Sequence, residues 1–339
     1  MNRRSIIVAG LCAAVPTLAC APIPGEGRFA RVVTEEAVII WDEAAGREHF
    51  IRRASFDTNA GDFGFLVPTP AKPELAEADP SLFTFMAAIT APAARQSEVV
   101  RAEEAAPRPS AVTVLEEKVL AGLNAAVLQA SDPKALQDWL SRNGYPSTPD
   151  LVEWIAPYVA AKWKITAFKV AGGSPNVSSA AVRMSFQTEK PFFPYREPAS
   201  QRLAGQQGAR LLRVYFIADA RFSGALGAKD AWPGAAVWSN LIAKQDLAAL
   251  LHHARLPMLA GGGGRWVTEF EDRSSPRKGT DEVFFSRAAD QSTLERPQPY
   301  VFVVTSSNSY QWIAAALAAL IVIGIIVYRR RRRPRRLFG

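Results

Sequence analysis

Hydrophobic and polar residues alternate with a period of two soon after residue 30. The segment 31–41 is rich in Val and Ile, and 48–56 follows it after the polar stretch DEAAGR. Two alternating segments around a short polar turn predict a β-hairpin. The apolar run at 63–67 predicts a third, buried strand, and Pro68 is expected to end it because proline cannot donate to a sheet ladder.

Apolar residues spaced three to four positions apart predict two consecutive helices near the centre of the chain. Both begin with a capping residue followed by proline, at 132–133 and at 148–149, a combination typical of helix starts. Gly144 can adopt the left-handed conformation that ends the first helix. Pro157 is expected to kink or end the second.

Shorter patterns complete the expected fold. Two further helices are predicted at 80–89 and 246–256, and 112–129 fits either one helix or, as we prefer, two strands around a turn at 122–124. The remaining predicted strands are 163–170, 181–188, 210–218, 265–270, 282–286 and 300–305. The segment 91–111 has no apolar periodicity, so that a boundary between two domains could lie there.

The last thirty residues carry the signals of a membrane span. The segment 310–328 contains no charged residue, and as a helix it would cover about 28 Å, close to the thickness of a bilayer core. Aromatic residues stand at its ends, and the arginine-rich tail 329–339 follows. Because positive residues stay on the cytoplasmic side, we expect a single-pass protein with a cytoplasmic C-terminus. The expected fold is therefore α+β, with mostly antiparallel strands, an inserted helical pair and a C-terminal transmembrane helix.

The first twenty residues have the form of a secretory signal. Two arginines precede an apolar run that ends in small residues, which predicts cleavage of the leader 1–20 near Ala19 or Ala21. The chain has two cysteines, Cys12 and Cys20, so that the exported part would hold no disulfide within itself. Thr17 to Cys20 also forms a partial lipobox, and lipidation of Cys20 is the alternative to ordinary cleavage.

The net positive charge says little about the middle of the chain once the positions of the basic residues are considered. The formal charge is +8, but nine of the 40 basic residues lie in the leader and the tail, which leaves 31 against 32 acidic residues. A near-neutral middle lacks the basic surface of a nucleic-acid-binding protein. No nucleic-acid partner is therefore expected.

Known catalytic and metal-binding motifs are missing from the sequence. The three histidines are His49, His252 and His253, and the adjacent pair would point about 100° apart on a helix. No nucleophile elbow and no phosphate loop occur, and no cofactor or metal is predicted. The acidic residues at 269–272 and 281–282 could serve a glycosidase, but the basic residues among them favour surface ion pairs. An exported hydrolase that uses these carboxylates or His49 is the alternative function.

A rigid aromatic segment at 191–198, with the sequence PFFPYREP, is the best candidate for a recognition surface. Its prolines could hold Phe192, Tyr195 and Arg196 towards a ligand or partner. The alternative is a packed connector between two strands.

Several stretches resemble one bacterial family. They are VIIWDEAAGREHFIRRASF, DFGFLVPTPAKPELAEAD, WLSRNGYP, WIAPYVAAKWKITAFKV, PFFPYREP and TEFEDRSSPRKGTDEVFF. The chain thus resembles the family called domain of unknown function 2330, which implies a secreted or membrane-tethered bacterial protein. The resemblance implies no activity, and no catalytic residue follows from it. Members often carry cysteines just after the leader, where this chain has only Cys20.

Together these patterns predict a membrane-anchored envelope protein. A binding or scaffolding domain at 22–305 would lie outside the cytoplasm, followed by the membrane helix 310–328. The expected partners are the lipid bilayer, through that helix, and an envelope protein or glycan.

Overall fold

β-Strands dominate the protein. The computed structural model describes residues 22–24, 28, 30–91, 117–120, 123–145, 148–171, 176–202, 210–228, 230–259 and 263–296. The described residues form 17 strands and four α-helices. The predicted α+β class is therefore wrong, because most of the described regular structure is β-sheet.

The predicted C-terminal transmembrane helix is not supported either. None of the helices in the described part combines the length and the apolar composition needed to cross a membrane. The segment 310–328 itself lies outside the described residues, as do the leader 1–20, Cys20 and the predicted strand 300–305. The predicted loop 91–111 lies outside them too, apart from its first residue.

The elements follow one another from an N-terminal group of strands to a C-terminal one. The helices are α1 (Ser81–Ile89), α2 (Pro133–Arg142), α3 (Pro149–Ala160) and α4 (Lys244–His253). The strands are β1 (Pro22–Pro24), β2 (Ala30–Asp42), β3 (Arg47–Thr58), β4 (Asp62–Thr69), β5 (Glu74–Glu77), β6 (Glu117–Leu120), β7 (Leu123–Leu128), β8 (Lys164–Ala171), β9 (Asn176–Ser178), β10 (Val182–Gln187), β11 (Phe192–Phe193), β12 (Leu211–Ala218), β13 (Phe222–Leu226), β14 (Asp230–Ala231), β15 (Ala235–Ile242), β16 (Arg265–Asp272) and β17 (Val283–Arg287).

The largest sheet has eight strands. Its order is β15-β16-β12-β2-β3-β10-β5, and β9 also pairs with β3. Neighbours are antiparallel except β2 and β12, which run parallel. The predicted hairpin of β2 and β3 is confirmed and contributes the centre of this sheet.

Two smaller sheets pack on one face of the large sheet. One has the order β1-β4-β8-β7-β6, which confirms two strands at 112–129, and the other has the order β11-β17-β13-β14. Aromatic rings fill the space between the layers: Phe56 and Phe65 stack with centroids 6.1 Å apart, and Phe216 lies 4.4 Å from Phe285. The main hydrophobic core is therefore formed between sheets.

Helices cover the two outer faces of these layers. α1 and α4 pack on the other face of the large sheet, around Val38 and Ile217. α2 and α3 pack on the five-stranded sheet, around Leu66 and Ile165. The described residues belong to one compact unit.

Because the large sheet is covered on both faces, β10 is buried on both as well. The sequence places Val182, Met184 and Phe186 inside and their alternating neighbours in solvent, but Arg183 and Ser185 are also buried. Arg183 Nη1 donates to the carbonyl oxygen of Ala254 at 2.9 Å, at the end of α4. The polar face of this strand therefore binds a helix terminus rather than water.

Candidate functional site

The aromatic connector 191–198 lies inside the protein. Phe192 and Phe193 form β11 and pair with β17, and Phe192 and Tyr195 are each 1% exposed. Only Arg196 of the three candidate recognition residues is partly exposed, and it pairs with Asp281 at 2.8 Å. The structure thus places these side chains in a packed connector, which the prolines make rigid, and not on an aromatic surface.

Buried carboxylates from three elements hold the connector. Glu48 Oε2 on β3 accepts the Phe192 amide at 2.9 Å. Glu282 Oε2 accepts the amide of Tyr195 at 2.7 Å, and Asp272 Oδ2 accepts the Tyr195 hydroxyl at 2.6 Å. The connector therefore obtains from side chains the hydrogen bonds that a sheet would otherwise supply.

Burial dominates the ionisation of two of these carboxylates. It raises the pKa of Glu48 well above its ordinary value, because the hydrogen bond from Phe192 offsets only part of the desolvation cost. Burial likewise raises the pKa of Glu282, against hydrogen bonds from Tyr158, Arg196 and Tyr195. Both carboxyls favour the neutral form more than an exposed glutamate does.

A second group of charges is buried beside the connector, and we call it the inner cluster: Glu35, Arg52, Asp272, Glu197, Arg210 and Arg277. Glu35 accepts from Arg52 at 2.8 Å and from Arg277 at 3.2 Å, and all three side chains are at most 2% exposed. Glu197 lies 3.1 Å from Arg210 and 4.0 Å from Arg277. These ion pairs join β2 and β3 to Arg277 in the segment after β16, and they join Arg277 and Arg210 to Glu197 in the connector.

The two glutamates of the inner cluster differ in their ionisation. Burial would raise the pKa of Glu35, but attraction to Arg52, Arg277 and Arg210 outweighs it and lowers the pKa to about 2. For Glu197 burial prevails over the attraction to Arg210 and Arg277, and the pKa is raised. Glu35 is thus the firmly ionised partner of the arginines.

Sequence reasoning missed the inner cluster, although one signal was present. Glu35 shares a face of β2 with Ala37 and Ile39. Arg52 shares a face of β3 with Phe50 and Ala54. A charged residue at an inward position of an apolar strand indicates a buried partner. The identity of that partner was not readable, since Arg277 is 242 residues from Glu35.

The opposite face of the large sheet carries a ladder of alternating charges. Arg53, Glu36, Arg213 and Glu271 stand opposite one another on β3, β2, β12 and β16. Arg213 also binds Glu269, with Nε 2.8 Å from Oε1. Ion pairs are thus present at 269–271, but Glu269 is 0% exposed and not at the surface as expected, and Asp272 points to the other face and joins the connector.

His49 is poorly placed for general base catalysis. It is 7% exposed, and its Nδ1 lies 2.8 Å from the Ser185 hydroxyl. Burial, together with repulsion from Arg183 and Arg47, lowers its pKa to about 4. An imidazole that resists protonation in this way is a weak base at neutral pH.

The sequence also missed a contact of serine, histidine and aspartate between α1 and α4. Ser81 Oγ lies 2.9 Å from His253 Nδ1 and 2.6 Å from Asp79 Oδ1. A catalytic triad holds its serine and its carboxylate on different nitrogens of the histidine. Asp79 instead binds the serine hydroxyl and amide, and it lies 3.9 Å from the same Nδ1 atom that the serine contacts. The contact thus ties the start of α1 to the end of α4.

A cavity beside α4 offers little room for a substrate. This cavity has a volume of about 60 Å³ and is lined by Lys244, Leu247, Met258, Leu259, Gly263 and Arg265. Sites for small organic ligands are typically about 300–1,000 Å³. In the part of the chain that the structure describes, no group of three or more metal-ligating side chains comes together.

Residues 15–285 match the family model described as an uncharacterized protein conserved in bacteria. The chain belongs to the DUF2330 family. The match includes the hairpin, the connector and the inner cluster, and it confirms the resemblance found in the sequence.

Other comparisons add little to this DUF2330 protein. No curated protein matches it. The crystal structure of baculovirus P35 is similar over 80% of this chain and 99% of its own, with 6% sequence identity and a TM-score of 0.37. A similarity this weak does not bear on function.

Proposed function

We propose that this DUF2330 protein is an exported binding or scaffolding domain of the bacterial envelope. One observation carries the proposal: ionisable groups with displaced pKa values are bonded inside the fold. Glu48 and Glu282 bind the amides of the connector, and Glu35 binds two arginines. Ionisable groups that are bonded inside the fold in this way stabilise the folded domain rather than act on a substrate.

The proposed location follows from the leader. Its two arginines and its apolar run are typical of proteins that leave the cytoplasm. An envelope protein or a glycan is the partner that such a domain would meet there.

A substrate screen of the purified full-length protein tests this function. We expect no turnover of peptidoglycan, glycan or ester substrates above a protein-free blank, and no change in His49→Ala. Cross-linking in intact cells should recover a specific envelope protein or glycan. Turnover that disappears in a folded His49→Ala or Ser185→Ala variant would instead establish the alternative, an exported hydrolase.

A further inference from the structure

The cavity beside α4 has an apolar wall that is open to solvent. Leu247 contributes to it from the first turn of α4, and Met258 and Leu259 contribute from the segment that follows this helix. Met258 is 64% exposed, more than any other large apolar side chain of the described chain. Because a methionine side chain is flexible and polarizable, it adapts to the shape of an apolar group that enters. The wall therefore favours contact with an apolar group.

The size of the cavity limits what can enter it. A volume of about 60 Å³ holds about four groups the size of a water molecule, which is roughly the size of one leucine side chain. A free organic ligand needs a larger site. In protein interfaces, by contrast, single side chains that fill pockets supply much of the binding energy. The cavity thus fits one side chain of a protein partner.

The rest of the lining is cationic. Lys244 at the start of α4 and Arg265 at the start of β16 belong to it, and the six described residues that line the cavity include no carboxylate. Lys244 is exposed and forms no ion pair within the described chain. Asp246 is also in the first turn of α4 but does not line the cavity, since residues two positions apart on a helix face different directions. The cavity therefore favours a negative charge on the group that enters.

The apolar wall and the two cations enclose the same small space. A group that satisfies both must carry an aliphatic side chain and a negative charge only a few bonds apart. An aspartate or glutamate within a chain places its charge on a different residue from the neighbouring aliphatic side chain. The last residue of a protein chain carries both, because its terminal carboxylate and its side chain are attached to the same Cα atom.

We propose that the cavity binds the C-terminal residue of a partner protein that ends in an aliphatic residue such as leucine. The aliphatic side chain packs against Leu247, Met258 and Leu259, and the terminal carboxylate pairs with Lys244, beside Arg265. This inference rests on the proposed binding function and specifies the chemistry of the partner.

NMR of the full-length protein with isotope-labelled methionine methyl groups tests the site. The chain has four methionines, and Met86 and Met184 are buried, so that Met258→Leu identifies the signal of the exposed one. N-acetyl-leucine, which mimics a C-terminal leucine, should shift the Met258 signal saturably, with a Kd on the order of millimolar. The signals of Met86 and Met184 should not move.

Two analogues of this probe separate the apolar contact from the charge. N-acetylglycine lacks the aliphatic side chain and should bind at least about tenfold more weakly than N-acetyl-leucine. N-acetyl-leucinamide lacks the carboxylate and should bind about three- to fivefold more weakly, the range of an exposed ion pair. Equal binding of the acid and the amide would assign the cavity to an internal apolar segment of a partner and overturn the inference.

Lys244→Gln tests the cation that reads the carboxylate. In this variant the preference for the acid over the amide should fall below about twofold. The matched control is Lys134→Gln, which removes an exposed lysine from the first turn of α2 and should keep the wild-type preference. An unchanged preference in folded Lys244→Gln would contradict the assignment.

The absence of a saturable shift of the Met258 signal would overturn the inference as a whole. Failure of this site is distinguishable from failure of the proposed function. If cross-linking recovers a specific envelope protein while N-acetyl-leucine does not bind, this site is rejected and the proposed function stands. Turnover of a substrate would instead reject the proposed function.

Discussion

At the scale of single residues, burial acts in opposite directions on Glu35 and Glu48. Both are fully buried on neighbouring strands. Glu35 faces Arg52 and Arg277, and its pKa falls to about 2, whereas Glu48 accepts a backbone amide and its pKa rises. The charge of the partner, and not burial alone, decides which form is stable.

Glu48→Gln should change how stability depends on pH. Because the pKa of Glu48 is raised on folding, the native state holds a proton that the unfolded chain releases above about pH 4.5. Wild-type stability therefore falls as pH rises through the folded pKa, and a neutral glutamine avoids this loss. The free energy of unfolding of Glu48→Gln relative to wild type should increase from about pH 4.5 upward, as measured by urea denaturation.

The control for this series is Glu74→Gln, which removes an exposed carboxylate that pairs with Arg47. Its effect should stay within about 1 kcal/mol at all pH values. A difference between Glu48→Gln and wild type that does not vary with pH would contradict the assignment.

Single residues were only partly predictable from the sequence. Alternation correctly assigns Phe50 and Ile51 to opposite faces of β3. It cannot show what covers each face, and Arg183 and Ser185 were therefore expected in solvent. For the same reason the sequence leaves both a recognition surface and a packed connector open at 191–198, because the segment is aromatic in either case.

At the scale of elements, local signals predicted helices better than strand ends. Asp132 caps α2 by accepting the Ala135 amide at 2.8 Å, and Thr148 caps α3, as their sequences predict. α3 nevertheless continues through Pro157 to Ala160, and β4 continues past Pro68 to Thr69. β1 pairs with Phe63–Phe65 of β4 and does not extend as far as Pro68. Pro68 is therefore not required to donate a hydrogen bond to β1.

Close approach of two elements explains a glycine in β4. A Cβ atom on Gly64 would lie 2.2 Å from the ring of Tyr145, which follows α2. Gly64→Ala should therefore lower the free energy of unfolding by about 1–3 kcal/mol through overpacking. Denaturant unfolding of the purified protein measures this loss.

Gly61→Ala is the matched control, because a Cβ atom there would meet nothing within 4 Å. It should be neutral or slightly stabilising, since alanine restricts the unfolded chain. Equal stability of the two variants would show that the Tyr145 ring does not restrict position 64.

At the scale of the whole molecule, the sequence predicted antiparallel strands but not their layers. The three sheets meet through aromatic residues far apart in the chain, such as Phe50 and Phe193. β15 and β13 were not predicted, because their short apolar stretches alternate weakly. Sheet order depends on contacts between distant segments, and a single sequence carries little information about them.

Export of the molecule remains a prediction that the leader makes. Mass spectrometry of the protein from cells should find a mature N-terminus near Ala19 to Ala21. Labelled palmitate should enter only if Cys20 is lipidated, and Cys20→Ser should then abolish it. Recovery of a chain that still begins with Met1 would contradict export by cleavage.

The central claim is that the inner cluster joins distant parts of the molecule, and a double-mutant cycle on Glu35 and Arg277 tests it most directly. Each of Glu35→Gln and Arg277→Met should lower the free energy of unfolding by about 3–5 kcal/mol, because Glu35→Gln removes the carboxylate that both Arg52 and Arg277 bind, and Arg277→Met removes one of the two arginines that bind Glu35. The double variant should lose clearly less than the sum of the two. Single losses below about 1 kcal/mol, or strictly additive losses, would contradict the claim.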